Sequence, residues 1–264
     1  MGQNRRDFLK AAGLGALGAL WGIPVVKAVG QAVGEVFEQS PAALQAKRWA
    51  MAIDLKRVAR EDVRRAAAEA CHAGHNVPQI GIDEEEIRWI WTEDFESALP
   101  AHVDAYTPEQ TKQKPLLVLC NHCDNPPCVR VCPTQATWKR ESDGIVMMDM
   151  HRCIGCRYCI AACPYGSRSF NWRDPRPFIR RGIRIDFPTR SKGVVEKCNF
   201  CAERLARGEQ PLCVEAANRV GGAGTMAFGD LADPRSAVSR LIRSKHTIRR
   251  KMHLGTSPQV YYVV

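Results

Sequence analysis

Cys120-Asn-His-Cys123-Asp-Asn-Pro-Pro-Cys128-Val-Arg-Val-Cys132-Pro133 and Cys153-Ile-Gly-Cys156-Arg-Tyr-Cys159-Ile-Ala-Ala-Cys163-Pro164 decide how this chain is built. The second run has the Cys-x2-Cys-x2-Cys-x3-Cys-Pro spacing of bacterial ferredoxins, and the first carries two extra residues between its second and third cysteines. Three closely spaced cysteines let one loop wrap a cubane. The fourth, followed by proline, is carried away to the other cluster of a pair. Two runs in tandem therefore predict two [4Fe–4S] clusters bound crosswise. One takes Cys120, Cys123, Cys128 and Cys163; the other takes Cys153, Cys156, Cys159 and Cys132. A zinc ribbon would instead separate two Cys-x2-Cys pairs. Disulfide frameworks belong to short secreted domains that lack a core, whereas this chain has 264 residues and is 45% hydrophobic.

Four of the 12 cysteines remain. Cys198-x2-Cys201-x11-Cys213 is followed, where a fourth ligand would fall, by Ala217, and Cys71 stands alone upstream. Taken in isolation, the downstream set reads as a [3Fe–4S] site and Cys71 as a packed thiol. A half-deleted second crosswise pair accounts for more. Cys198, Cys201, Cys213 and the distant Cys71 then hold one cubane, and every ligand of its neighbour is missing. All the cysteines are thereby used, in three [4Fe–4S] clusters.

The order of these motifs, with Cys198-Asn-Phe-Cys201, resembles the iron–sulfur electron-transfer subunits of the molybdopterin oxidoreductase family across residues 48–230. Those subunits typically carry four cubanes on two fused ferredoxin modules. Here Val58, Val63 and Ala66 lie near the expected upstream ligand positions. A closer resemblance is to periplasmic iron–sulfur subunits of transmembrane complexes in sulfur-metabolising prokaryotes. It rests on Arg5-Arg6-Asp7-Phe8-Leu9-Lys10, Cys71-His-Ala-Gly-His-Asn-Val-Pro78, Trp89-Ile-Trp91, Phe228-Gly-Asp-Leu231, Leu254-Gly-Thr-Ser-Pro258 and Val260-Tyr-Tyr262. The resemblance implies an integral membrane quinone-reactive subunit, a multihaem cytochrome c and other membrane-complex subunits as partners. It implies single-electron relay in sulfite reduction-associated metabolism. The competing expectations are a relay serving a periplasmic molybdopterin polysulfide or thiosulfate reductase, and a structural or assembly subunit whose clusters only staple the fold.

The expected fold is α+β: two interleaved 2[4Fe–4S] ferredoxin-like modules with insertions, behind a twin-arginine leader. The inner module spans about 115–170 and the outer about 49–80 plus 194–225, together within 49–230. Alternation predicts strands at Trp49–Asp54, Leu116–Leu119 and Ile145–Met148, and composition predicts a helix over Arg57–His72. Residues 1–28 read as an export signal: paired arginines, a glycine-diluted apolar run too short to span, and a small-residue cleavage site after Ala28. Because this route carries folded proteins, clusters can be built before export into the oxidising periplasm. Residues 29–48 read as a helical linker and 231–264 as a C-terminal extension.

Net charge is +10, and without the leader's Arg5, Arg6, Lys10, Lys27 and Asp7 it is +7. No nucleic-acid motif accompanies that charge, and thiolate-held clusters offset it, so no nucleic-acid partner is expected. No nucleophile–base motif or phosphate loop is present, so no catalytic residue is assigned. Residues 81–114, with Trp89, Trp91 and Phe95, read as a solvated cap. The arginine-rich stretch 164–197 reads either as a solvated loop or as a tuner of cluster potentials and partner docking. His72, His75 and His122 stand beside cysteines and are expected to support rather than ligate.

Overall fold

The computed structural model describes residues 40–264, so the leader, its cleavage site and most of the expected linker lie outside the described residues. Residues 42–48 run as turn and bend with no helix. Trp49–Asp54 forms β1, almost wholly buried. Asp54 ends it and starts α1 (Leu55–Val58), its carboxylate accepting the Lys56 and Arg57 amides at 2.9 and 3.0 Å. The helix expected over Arg57–His72 is broken at Arg60, which is extended at φ −69°, ψ 130°. Beyond it α2 (Glu61–Gly74) buries Val63, Ala67 and Cys71, one per turn on one face, with Glu61 and Asp62 at its positive end.

Three small antiparallel ribbons follow: β2 (Ile90–Asp94) with β3 (Pro115–Leu119), β4 (Thr137–Lys139) with β5 (Val146–Met148), and β6 (Ser169–Phe170) with β7 (Val195–Glu196). Short helices lie at Phe95–Ala98 (α3), Glu109–Lys112 (α4), Pro127–Arg130 (α5), Tyr158–Ala161 (α6) and Ala202–Leu205 (α7). The longer α8 (Leu212–Gly221) packs along α2. Then come β8 (Met226–Asp230), α9 (Ala237–Ser244), β9 (Thr247–Ile248) and β10 (Val260–Val263).

One sheet has the order β8-β1-β10-β9. β1 runs antiparallel to β8 but parallel to β10, with Met51 opposite Val260 and Asp54 opposite Val263. The segment after residue 230 thus supplies an inner strand of the sheet, with all four residues of β10 buried. The main core gathers Met51, Ile53, Val58, Val63, Ala67, Leu116 to Leu119, Phe200 and Tyr262. No helix among the described residues is long and apolar enough to cross a membrane.

The first insertion is more buried than the solvated cap expected of it, and the second is solvated in part and buried in part. Trp89 is 1% exposed because its indole N–H donates to Glu196 at 2.7 Å, inside a buried group that includes Arg190 and Asn171. Phe95 is buried as well. Of the arginines between 164 and 197, Arg168 and Arg190 are buried, whereas Arg176, Arg180, Arg181 and Arg184 are exposed.

Candidate metal centres

The leading Cys-x2-Cys segment of each group turns through the same backbone state. The residue before its second cysteine is left-handed: His122 at φ 41°, Gly155 at φ 72° and Phe200 at φ 56°. Such a residue among ordinary ones turns successive amides inward and makes a concavity suited to anions and iron–sulfur groups. The Phe200 amide lies 3.4 Å from Cys198 Sγ, and the Val195 amide 3.5 Å from Cys153 Sγ. At Gly155 a side chain is excluded twice over, since a Cβ there would stand 2.4 Å from the Gly193 carbonyl oxygen. His122 and Phe200 bear the conformation with rings stacked 3.6 Å apart, which joins their two loops.

Cys120, Cys123, Cys128 and Cys163 line a single cleft with Asn121, Tyr165, Ser167 and Arg168. α5 carries Cys128 into it, and Cys163 arrives just beyond α6, the helix that packs on α5. Burial, aided by Cys120, pushes the Cys123 thiol up to about 12. The C-terminal loop closes this cleft. Thr256 lies beside the Cys123 thiol, its hydroxyl bonded to that of Tyr165, and the Ser257 and Thr256 carbonyls accept the Asp124 and Asn125 amides at 2.9 and 3.1 Å.

A second group forms between α2, the 198–201 loop and α8. Burial, reinforced by Cys213, Cys198 and Cys201, holds the Cys71 thiol far above its ordinary range. Burial also raises Cys213 to about 12 and Cys201 well above 9. His75 sits against this group, its Nδ1 3.7 Å from Cys71 Sγ and its Nε2 3.0 Å from Glu203 Oε1. His75, Cys201 and Glu203 bring ligand atoms within 4.8 Å of one another, and they form part of the same surround.

Cys153 and Cys159 meet in a small apolar cluster with Val146 and Val195, next to Cys128. Cys156 is half-buried in the loop before α6. Cys132 has its described partners, Thr134, Ala136 and Thr137, in its own loop, so its membership of this third group rests on spacing alone.

The donor set fits iron–sulfur clusters. Buried thiols packed together resist ionisation, and a coordinating cationic core reverses that by deprotonating them outright. Asn121 supplies an independent sign. Its side chain is 1% exposed and lines the four-cysteine cleft, and neither amide atom has a protein partner. An amide N–H in that place suits a sulfide acceptor. Several of these supporting residues escaped sequence reading. Asn121 was signalled only by standing next to a cysteine, and Thr256 only as part of Leu254-Gly-Thr-Ser-Pro258.

Fold and thiol groups together define a ferredoxin-like iron–sulfur protein. Residues 111–176 match the 4Fe-4S dicluster domain family. Over 98% of its length the chain is 38% identical to the Hdr-like menaquinol oxidoreductase iron-sulfur subunit 1 of Archaeoglobus fulgidus, covering 97% of that protein. It is 35% identical to the menaquinone reductase iron-sulfur cluster-binding subunit of Nitratidesulfovibrio vulgaris, over 82% of this chain and 88% of the relative. To a tetrathionate reductase subunit of Salmonella typhimurium it is 33% identical, over 100% of this chain and 89% of the relative. The chain belongs to this family of iron–sulfur subunits.

Proposed function

We propose that this chain relays single electrons through three [4Fe–4S] clusters in a periplasmic membrane-associated complex, as its resemblance to DsrO, the iron–sulfur subunit of the DsrMKJOP complex, implies. In this reading Cys71, Cys198, Cys201 and Cys213 hold the first cluster. Cys120, Cys123, Cys128 and Cys163 hold the second, and Cys153, Cys156, Cys159 and Cys132 the third. A bound [4Fe–4S] cluster supplies one-electron chemistry with little ligand movement. The residues bind it, keep water from its sulfurs and fix its place in the series.

The observation that carries the reading is the contiguity of the thiol groups. Cys198 of the first is influenced by Cys120 of the second, and Cys159 of the third by Cys128 of the second. At the first junction, Lys197 donates to the carbonyls of Val146, which lines the cleft, and of Cys198. The count of three is supported where the deleted neighbour of the first cluster would lie. Near the expected upstream positions Val58 and Val63 are fully buried in apolar packing and Ala66 is half-buried; Ala217 is fully buried, and a Cβ on Gly221 would approach Val63 to 3.1 Å. A series that ends at Cys71 lacks the stage that would lead to a molybdopterin subunit.

Partners in this reading are a quinone-reactive membrane subunit, consistent with the menaquinol and menaquinone names of two relatives, and a multihaem cytochrome c. The paired Arg5 and Arg6 support twin-arginine export. Protein-film voltammetry of the cluster-loaded chain tests the function: reversible one-electron waves are expected. Clusters that exchange no electrons with the electrode would leave the structural-staple reading in its place.

A further inference from the structure

Two deeply buried arginines have carboxylate partners. Arg190 pairs with Glu196, neither side chain exposed, and Arg250 pairs with Glu93 at 2.9 Å. Arg168 is only 5% exposed, yet no ion pair to a carboxylate is found for it among the described residues. Its Nη2 donates to Cys128 Sγ at 3.0 Å and to Thr137 Oγ1 at 2.8 Å, and its Nη1 lies 3.7 Å from Met148 Sδ. Cys159 packs in the same buried cluster as Cys128, close enough for its thiol to feel the Arg168 charge. A guanidinium cannot shed its proton, and an unpaired buried charge is strongly disfavoured. The compensating negative charge at this place must therefore be held on sulfur.

Cys128 and Cys159 are equivalent residues, each the third cysteine of its run. We propose that Arg168 is the shared counter-ion of the second and third clusters, raising both reduction potentials by hydrogen-bonding the Cys128 sulfur of one and setting its charge beside the Cys159 sulfur of the other. The proposal rests on the cluster assignment given above. Positive charge and N–H donation to ligand sulfur stabilise the more negative, reduced state of a cluster. Each stage gains one electron on reduction, and Arg168 stays protonated in both states, so it moves no proton. The planar fork of arginine suits a bridge between two acceptors, which a lysine ammonium does not reproduce. The cysteines of the first cluster are not among the described partners of Arg168, and the buried cation beside them is Lys197, bonded to two carbonyls.

The test is a potentiometric titration, followed by electron paramagnetic resonance, of the cluster-loaded full chain as wild type, Arg168→Gln, Arg168→Lys and Arg180→Gln, the last an exposed arginine of the same insertion. Arg168→Gln is expected to lower two of the three midpoint potentials and leave the third in place, and Arg180→Gln to move none. In Arg168→Lys the two affected potentials are expected to draw apart, because one ammonium serves one sulfur better than two. Should Arg168→Gln fail to hold iron, the lysine variant decides alone. Potentials that stay put in both Arg168 variants overturn the proposal, as does a fall in only one cluster or an equal fall in all three. Iron content and cluster signals of the wild type decide the cluster assignment separately, so its failure is distinguishable from failure of the Arg168 role.

Discussion

At the scale of single residues, the chain positions its thiols by paying in backbone strain. His122 and Phe200 hold left-handed conformations that cost a non-glycine residue of the order of 1–2 kcal/mol. Their stacked rings, 3.6 Å apart, recover part of that cost by packing. Cys71 shows how far apart in sequence such a centre reaches. It stands on the buried face of α2, and its thiol feels Cys198, Cys201 and Cys213. Cys71→Ser is therefore expected to perturb the same cluster as Cys198→Ser, with matching changes in spectrum and midpoint potential. If Cys71→Ser leaves every cluster signal and potential as in the wild type, Cys71 is a packed thiol and nothing more.

Among the elements, β10 has the largest consequence for its length. It lies parallel to β1, and Tyr262 at its centre is fully buried, with its hydroxyl donating to the Leu117 carbonyl at 3.2 Å. Truncating such a ring leaves a cavity and an unsatisfied carbonyl, so Tyr262→Ala is expected to cost about 3–5 kcal/mol. A denaturation midpoint for this variant close to the wild type would show that the sheet does not depend on β10. Strands β1, β3 and β5 were legible because one-sided burial leaves a period of two, or an apolar run, in the sequence. β10 was not legible as a neighbour of β1, since parallel pairing of distant segments leaves no local trace. The break at Arg60 was hidden for another reason: helix propensity continues through a residue whose backbone is set by the strand-to-helix corner. Spacing pointed to the cysteines that share a loop, because a cubane dictates which thiols stand close together, whereas Cys71 was reached only by accounting for all 12 cysteines. Among the polar residues around them, Arg168 was foreseen only as one arginine of a stretch that could tune the clusters, and Asn121 and Thr256 were not foreseen, because hydrogen bonds to sulfur follow from the fold and have no fixed spacing.

For the molecule as a whole, the arrangement is a series of thiol groups with a cation at each junction. Lys197 joins the carbonyls of Val146, which lines the four-cysteine cleft, and of Cys198, and Arg168 bonds Cys128 in the cluster where Cys159 also packs. Val63, Ala67 and Ala217 are tightly packed in the main core, as the proposed count of three requires. The central claim is thus a number: three cubanes, each with four of the 12 cysteines. Iron and acid-labile sulfide analysis of anaerobically purified protein, with electron paramagnetic resonance at full reduction, measures it directly. The account predicts about twelve irons per chain and about three S = 1/2 signals, as expected for cubane ligation. Iron near sixteen per chain, or a [3Fe–4S] signal in the as-isolated protein that is not a product of damage, would contradict it.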